Sequence, residues 1–176
     1  MSAEGWCRID EVLQHAELDR ATFDEEVATN AKRRFQVDGE RVRATQGHSS
    51  GVPVTVEALE ASWERVVGPG TMVHGTRLEV VEAALAEGLK PMGRTHVHLA
   101  DDAEATVGKR AGVAAALVVD RGLLAQAGQP LYRSPNGVLL TRAVPPSAFV
   151  DLLLLTKRAR REGESLRAQV RGLAGA

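Results

Sequence analysis

Two short alternating segments, Arg34-Phe-Gln-Val37 and Glu40-Arg-Val-Arg-Ala44, flank Asp38-Gly39, and this arrangement constrains the fold more than any other feature of the chain. An Asp-Gly connection takes up the left-handed backbone that matches the twist of two antiparallel strands, so a β-hairpin is expected here. Upstream, Ile9, Val12 and Leu13 are spaced for one face of a short helix, and Thr22 with Glu25 reads as a capping box opening a second helix through about Lys32. Helices followed by a hairpin predict a winged-helix lobe. A helical stretch from Glu57 to Val67 and the breaker Gly68-Pro69-Gly70 then lead into a second lobe.

That second lobe opens with a short strand ending at His74 and a helix from Leu78 to Glu87, with Val80, Val81, Ala84 and Leu85 as its apolar face and Gly88 as its stop. Further strands are expected over 96–100, 115–120, 131–133, 138–141 and 149–155, and Asp101 is placed to cap a helix running towards Arg110. Strands outnumber helices without regular interleaving, which predicts an α+β fold with antiparallel pairing. The division that follows is a hairpin lobe over 1–67, a sheet lobe over 68–156 and a basic helix or tail over 157–176.

Composition narrows the function classes. Apolar residues make up 44% and charged residues 26% of the 176, which is the balance of a folded protein. Aromatics are only 3%, so base stacking is a poor candidate for the main way of holding nucleic acid. The formal charge of -1 conceals eight acidic against two basic side chains over 1–29 and six basic against two acidic over 157–176. A polyanion would therefore meet local basic patches, and the tail is either a solvated face or an RNA-contacting arm. Cys7 is the only cysteine, so neither an intrachain disulfide nor a thiolate zinc site is expected. The pattern of a secretion signal is missing, as is an apolar run of membrane-spanning length, and the cytoplasm is the expected location.

Chemistry-bearing residues recur at strand edges. Arg43 and His48 flank the end of the hairpin, where a guanidinium fork and an imidazole suit a phosphate. His74-Gly75-Thr76 ends a strand, and Gly75 permits close approach of a ligand. His96 and His98 alternate, so they share a face, yet without a carboxylate or thiolate partner no metal site is expected. Asn136-Gly137 between apolar strands reads as a type I′ turn. Gly108-Lys109-Arg110 puts cations near a helix end. Neither a Gly-x-Gly-x-x-Gly nor a P-loop is present, so a dinucleotide would not be held in the Rossmann manner.

Taken in order, Arg43 to Ser49, His74 to Thr76, Gly88 to His98, Gly108 to Arg110, Ser134 to Thr141 and Val144-Pro145 resemble the RNA 2'-phosphotransferase family over about residues 4 to 150. The resemblance implies a winged-helix lobe that takes RNA carrying a 2'-phosphate, and a lobe with the split antiparallel sheet of ADP-ribosyltransferases that takes NAD as co-substrate. It implies a reaction in which the 2'-phosphate attacks the nicotinamide ribose, nicotinamide leaves, and the ribose 2''-hydroxyl displaces the RNA as ADP-ribose 1'',2''-cyclic phosphate forms. Arg43 and Arg110 match two of the family's catalytic arginines, with His48 and Ser49 on the RNA side. His74, Gly75, Thr76, Arg94, His96, His98, Ser134, Asn136 and Gly137 are the implied NAD contacts, and a monomer is expected. The family's Leu-Arg-His-x-Pro segment precedes its Gly-Trp motif, which is Gly5-Trp6 here, so that segment lies outside these 176 residues. Either a start upstream of Met1 or a weakened member is implied. The alternatives are a catalytically silent module for ADP-ribose, NAD or RNA ends, and ADP-ribosyl transfer to RNA 5'-phosphates.

Overall fold

The computed structural model describes residues 1–104 and 113–174. Its first lobe comprises β1 (Cys7–Arg8), α1 (Ile9–Ala16), α2 (Arg20–Thr29), β2 (Phe35–Asp38) and β3 (Arg41–Ala44). The hairpin forms as expected: Gly39 sits at φ +56°, Gln36 faces Arg43 and Phe35 faces Ala44. Two-residue β1 adds to the free edge of β3, with Cys7 opposite Val42, and it is too short to announce itself by alternation. Ile9, Phe23 and Val42 close a small core under the helices.

One cap differs from expectation. The amide of Thr22 donates to Asp19 Oδ1 at 2.8 Å, so α2 is capped by Asp19, three residues ahead of the expected box, and ends at Thr29. A carboxylate at a helix N-terminus accepts the orphan amide and complements the helix dipole, which favours Asp over the neighbouring hydroxyl.

Beyond the hairpin come α3 (Val56–Ala61), β4 (Glu64–Arg65), β5 (Thr71–Thr76), α4 (Val81–Glu87), β6 (Val97–Leu99), β7 (Ala115–Asp120), α5 (Arg121–Gln126), β8 (Leu131–Arg133), β9 (Leu139–Thr141), β10 (Phe149–Leu154), α6 (Lys157–Glu162) and α7 (Glu164–Ala174). The helix expected over 57–67 therefore stops early, and β4 turns away to pair with β8. Val80 belongs to a 3-10 turn ahead of α4 and is exposed, so the buried face of that helix is Val81 and Ala84. Two antiparallel sheets result, ordered β10-β7-β5 and β4-β8-β9-β6. Val73 and Ala100 exchange backbone hydrogen bonds at 2.8 and 2.9 Å and join the sheets along β5 and β6. Leu99, Leu117, Leu139, Phe149 and Leu152 are fully buried in the common core. The architecture is α+β.

The β8–β9 connection is not a type I′ turn. Such a turn needs positive φ at both central residues, and only Gly137 has it, at +88°. The Gly137 amide instead donates to the Ser134 carbonyl at 2.8 Å, closing a turn over Pro135 and Asn136. The Asp101 carboxylate accepts from Arg133 Nη1 at 2.8 Å and Arg121 Nη2 at 3.1 Å, and the helix expected from it towards Arg110 falls largely outside the described residues. None of the described helices is long and apolar enough to cross a membrane.

The basic C-terminal segment is largely neutralised from within. Arg167 and Arg171 both grip the Asp151 carboxylate, at 3.0 and 2.9 Å from Nε to Oδ1, which ties α7 to β10 over the buried Val170. Arg158 and Arg161 pair with Glu162. The Asp151 carboxyl is exposed to burial, which would raise its pKa, but the two guanidinium groups outweigh that and hold it well below the usual carboxylate range. We predict that Asp151→Asn lowers unfolding stability by about 1–2 kcal/mol, as expected for losing a partly buried charge-assisted pair. Urea denaturation at neutral pH measures it.

Candidate active site

Strand alternation separates two neighbours on β3. Val42 turns into the core of the first lobe, and Arg43 turns to the other face, where Trp6 and the end of α3 cover it to 7% exposure. Its guanidinium lies 4.7 Å above the Trp6 ring, Nε donates to Gln36 Oε1 at 2.9 Å and Nη1 to Ser62 Oγ at 2.9 Å. Nη2 makes no hydrogen bond among the described residues, so a pre-oriented cation keeps a donor in reserve.

Beside it, His48 is 9% exposed, and neither of its ring nitrogens has a hydrogen-bond partner among the described residues. Leaving such a group unsatisfied costs on the order of 1–3 kcal/mol, which stable folds avoid unless the group meets something else. Gly5 makes room for the ring: a Cβ there would lie 2.9 Å from Nε2. Arg43 and His48 are among the residues that line a cavity of about 380 Å³, together with Gly5, Gly47, Ser49 and apolar walls that include Val12, Phe23, Phe35 and Val52. Burial lowers the His48 pKa below the ordinary imidazole value, and the charges of Arg43 and His96 push the same way. An entering anion would reverse that trend.

The loop after the hairpin runs antiparallel to the segment ahead of β6. Thr95 N donates to the His48 carbonyl at 3.1 Å and Ser50 N to the Gly93 carbonyl at 3.2 Å, with Ser49 opposite Arg94. Gly47, at φ +85°, lets the loop lie flat, since a Cβ would come within 3.3 Å of Arg94 Nη1. The lacing sets the cavity against a row of histidines. His74 Nδ1, on β5, lies 2.9 Å from the His98 carbonyl, and His98 Nδ1 lies 3.1 Å from the His96 carbonyl. His98 Nε2 meets Gln46 at 2.7 Å and Arg94 at 3.4 Å. Gly75 and Thr76 continue β5 opposite Ala116 and Ala115.

His96 and His98 do not share an environment, because His96 precedes β6 and its ring turns into the interior. It is 1% exposed, packs edge-on against Trp63 at 4.9 Å between centroids, accepts on Nδ1 from the Thr95 hydroxyl at 3.0 Å and donates from Nε2 to Glu60 at 3.2 Å. It supports the site from behind. Glu60 also accepts two 2.7 Å bonds from Arg142 and a 3.2 Å bond from Tyr132. Burial alone would raise the Glu60 pKa, but these donors outweigh it and hold the carboxyl below its ordinary value. Sequence inspection missed this hub, since Glu60 sits on an ordinary helix and its partners are distant in sequence: His96 by 36 residues, Tyr132 on β8 by 72 and Arg142 just past β9 by 82.

Ser134 and Asn136 face the first lobe. The Asn136 amide donates to the Lys32 carbonyl at 2.9 Å, and the Ser134 hydroxyl bonds Asn136 Oδ1 at 2.8 Å. Gly137 closes the turn that presents them, and its carbonyl accepts from Arg133 at 3.2 Å. Arg110 lies outside the described residues. Among the described residues no group of three or more His, Cys, Asp or Glu could hold a metal ion.

Two outcomes follow. Glu60→Ala strands His96 and Arg142; because Arg142 is 49% exposed and can rehydrate, the expected loss is about 2–3 kcal/mol, less than for a fully buried pair, measurable by urea denaturation. His98 has its pKa lowered from 6.5 to about 4, first by burial and then by Arg94. The unfolded chain therefore binds a proton that the folded chain refuses between those values, so this contribution to stability is intact above pH 6.5 and disappears as pH falls towards 4. Thermal melts of His98→Gln should show a shallower pH dependence across that window than the wild type.

Comparison with known proteins adds an independent line. Residues 1–143 match the family model described as RNA 2'-phosphotransferase, Tpt1 / KptA family. A protein from Streptomyces griseus named "Probable RNA 2'-phosphotransferase" is 38% identical over 162 residues, covering 83% of this chain and 82% of the relative. One of the same name from Burkholderia lata is 38% identical over 161 residues, 86% and 80% of the two chains. Another, from Streptomyces coelicolor, is 40% identical over 148 residues, 80% and 78%.

Proposed function

The chain belongs to the RNA 2'-phosphotransferase, Tpt1 / KptA family and is an enzyme that removes a 2'-phosphate from RNA, and from that premise we propose that Arg43 and His48 grip the RNA phosphate while NAD serves as co-substrate against the histidine row. The observation that carries this is the buried His48 ring, whose two nitrogens have no partner among the described residues, on a cavity that Arg43 also lines. In this reading residues 1–67 act as a winged-helix RNA lobe and 68–156 as an ADP-ribosyltransferase-like lobe, with the two joined sheets as its frame.

The residues near the row suit a dinucleotide. Arg94 offers positive charge for a pyrophosphate, Thr76 a hydroxyl for a ribose, and Gly75 an uncovered stretch of backbone. NAD would supply the electrophilic ribose carbon and nicotinamide as the leaving group. The protein's task is then to orient and to stabilise charge, since the phosphate is already the nucleophile. Arg43, fixed by Trp6, Gln36 and Ser62, holds the phosphate without having to reorganise during the reaction. The neutral His48 ring donates one N–H to a phosphate oxygen. His74 orients the edge of β5 through the His98 carbonyl. Arg110 is assigned to the phosphate charge of the second step, by which the RNA leaves with a plain 2'-hydroxyl.

Incubation with NAD and an RNA bearing one internal 2'-phosphate should release nicotinamide and yield the 2'-hydroxyl product. Arg43→Lys keeps the charge but loses the fork and should lower kcat/KM by ~10²-fold, the scale of one preorganised donor. His48→Asn should cost about tenfold. Unchanged RNA and no nicotinamide from the wild-type chain would overturn the reading.

A further inference from the structure

We propose that Gln46 is a positioning residue whose side-chain amide donates to His98 Nε2 and so aligns the loop carrying Arg43 and His48 with the histidine row that faces the second substrate. This rests on the functional reading above, and it concerns a residue to which neither the phosphate site nor the nucleotide site lays claim.

The tautomer of His98 decides the direction of the bond. Its Nδ1 lies 3.1 Å from the His96 carbonyl, and a carbonyl oxygen only accepts, so the ring proton sits on Nδ1. Nε2 then offers a lone pair. A Gln46 oxygen at 2.7 Å would set two acceptors against each other, so the contact is satisfied only with the amide's NH2 turned to the ring. A second proton on the ring is disfavoured by burial and by the neighbouring Arg94, which outweigh the His96 carbonyl that would favour it. Arg94 reaches Nε2 at 3.4 Å, His74 from β5 and His96 from the preceding residues add no negative charge, and its partners are otherwise a carbonyl and an amide. The ring is thus held neutral between a donor from the hairpin loop and an acceptor on its own strand.

What this controls is geometry. After Gly47 the loop is anchored by the Thr95-to-His48 and Ser50-to-Gly93 backbone bonds, and before it Trp63 Nε1 donates to the Thr45 carbonyl at 3.1 Å. Gly47 lies between these anchors with φ +85° and no side chain to wedge it. Among the described residues the Gln46 side chain ties this loop laterally to the histidine row, and a mutation can remove that tie without touching backbone. A misplacement of about 1 Å at a reacting centre lowers turnover by up to ~10²-fold with little effect on binding.

The test uses the full chain with two variants. Gln46→Ala should reduce kcat about tenfold or more while the KM values for NAD and RNA stay within about threefold, the signature of lost alignment. Gln46→Glu replaces a donor by a carboxylate that favours the imidazolium, so the His98 pKa, read by NMR of the ring nitrogens, should rise from about 4 by one unit or more, and the pH–rate profile should gain a matching limb. A kcat within twofold of wild type for Gln46→Ala, or an unmoved His98 titration in Gln46→Glu, overturns the proposal. So do parallel losses of kcat, both affinities and melting temperature, which would mark a merely structural residue. Absence of product from the wild type would remove the functional reading instead, and the ring titration would still decide whether Gln46 governs His98.

Discussion

Backbone hydrogen bonds between the loop after the hairpin and the segment ahead of β6 hold the two halves of this molecule in one geometry. Thr95 to His48 and Ser50 to Gly93 are the bonds of a two-rung antiparallel ladder. Because the ladder is backbone to backbone, it places Arg43 and His48 from one lobe against Arg94, His98 and His74 from the other, whatever the surrounding surface residues are. In the proposed reaction a phosphate and its acceptor carbon need that fixed relation more than they need a strong base.

Behind the ladder lies the hub around Glu60. One buried carboxylate gathers Arg142, Tyr132 and His96 from three strands of the β4-β8-β9-β6 sheet or its edge, and Trp63 covers the assembly while bonding the Thr45 carbonyl. Both His96 ring nitrogens are bonded there, in contrast to His48, whose ring is also buried and has neither nitrogen paired among the described residues. The two buried imidazoles thus differ in kind.

Much of this was legible in the sequence, and the failures have identifiable causes. Strands β7 and β8 match their expected bounds because each is a short apolar or aromatic run between turn residues. The hairpin followed from Asp38-Gly39. Strands β1 and β4 escaped notice because two residues cannot show a period. The cap of α2 moved to Asp19 because its carboxylate accepts both the amide and the hydroxyl of Thr22, so the helix begins a turn earlier, at Arg20. Of the candidate site, Arg43 and His48, singled out by chemistry and spacing, come together on one cavity, whereas His96, expected as an NAD contact, is buried against Glu60 and Trp63. Its partner Glu60 is 36 residues away in sequence, and no local pattern marks a carboxylate that tertiary structure will bury.

The account turns on His48 meeting a phosphate. Titrating its ring nitrogens by NMR, with an RNA bearing one 2'-phosphate and with the same RNA lacking it, tests that directly. The prediction is that only the phosphorylated RNA raises the His48 pKa from its depressed position and shifts both ring nitrogens. Identical titrations with the two RNAs would contradict it.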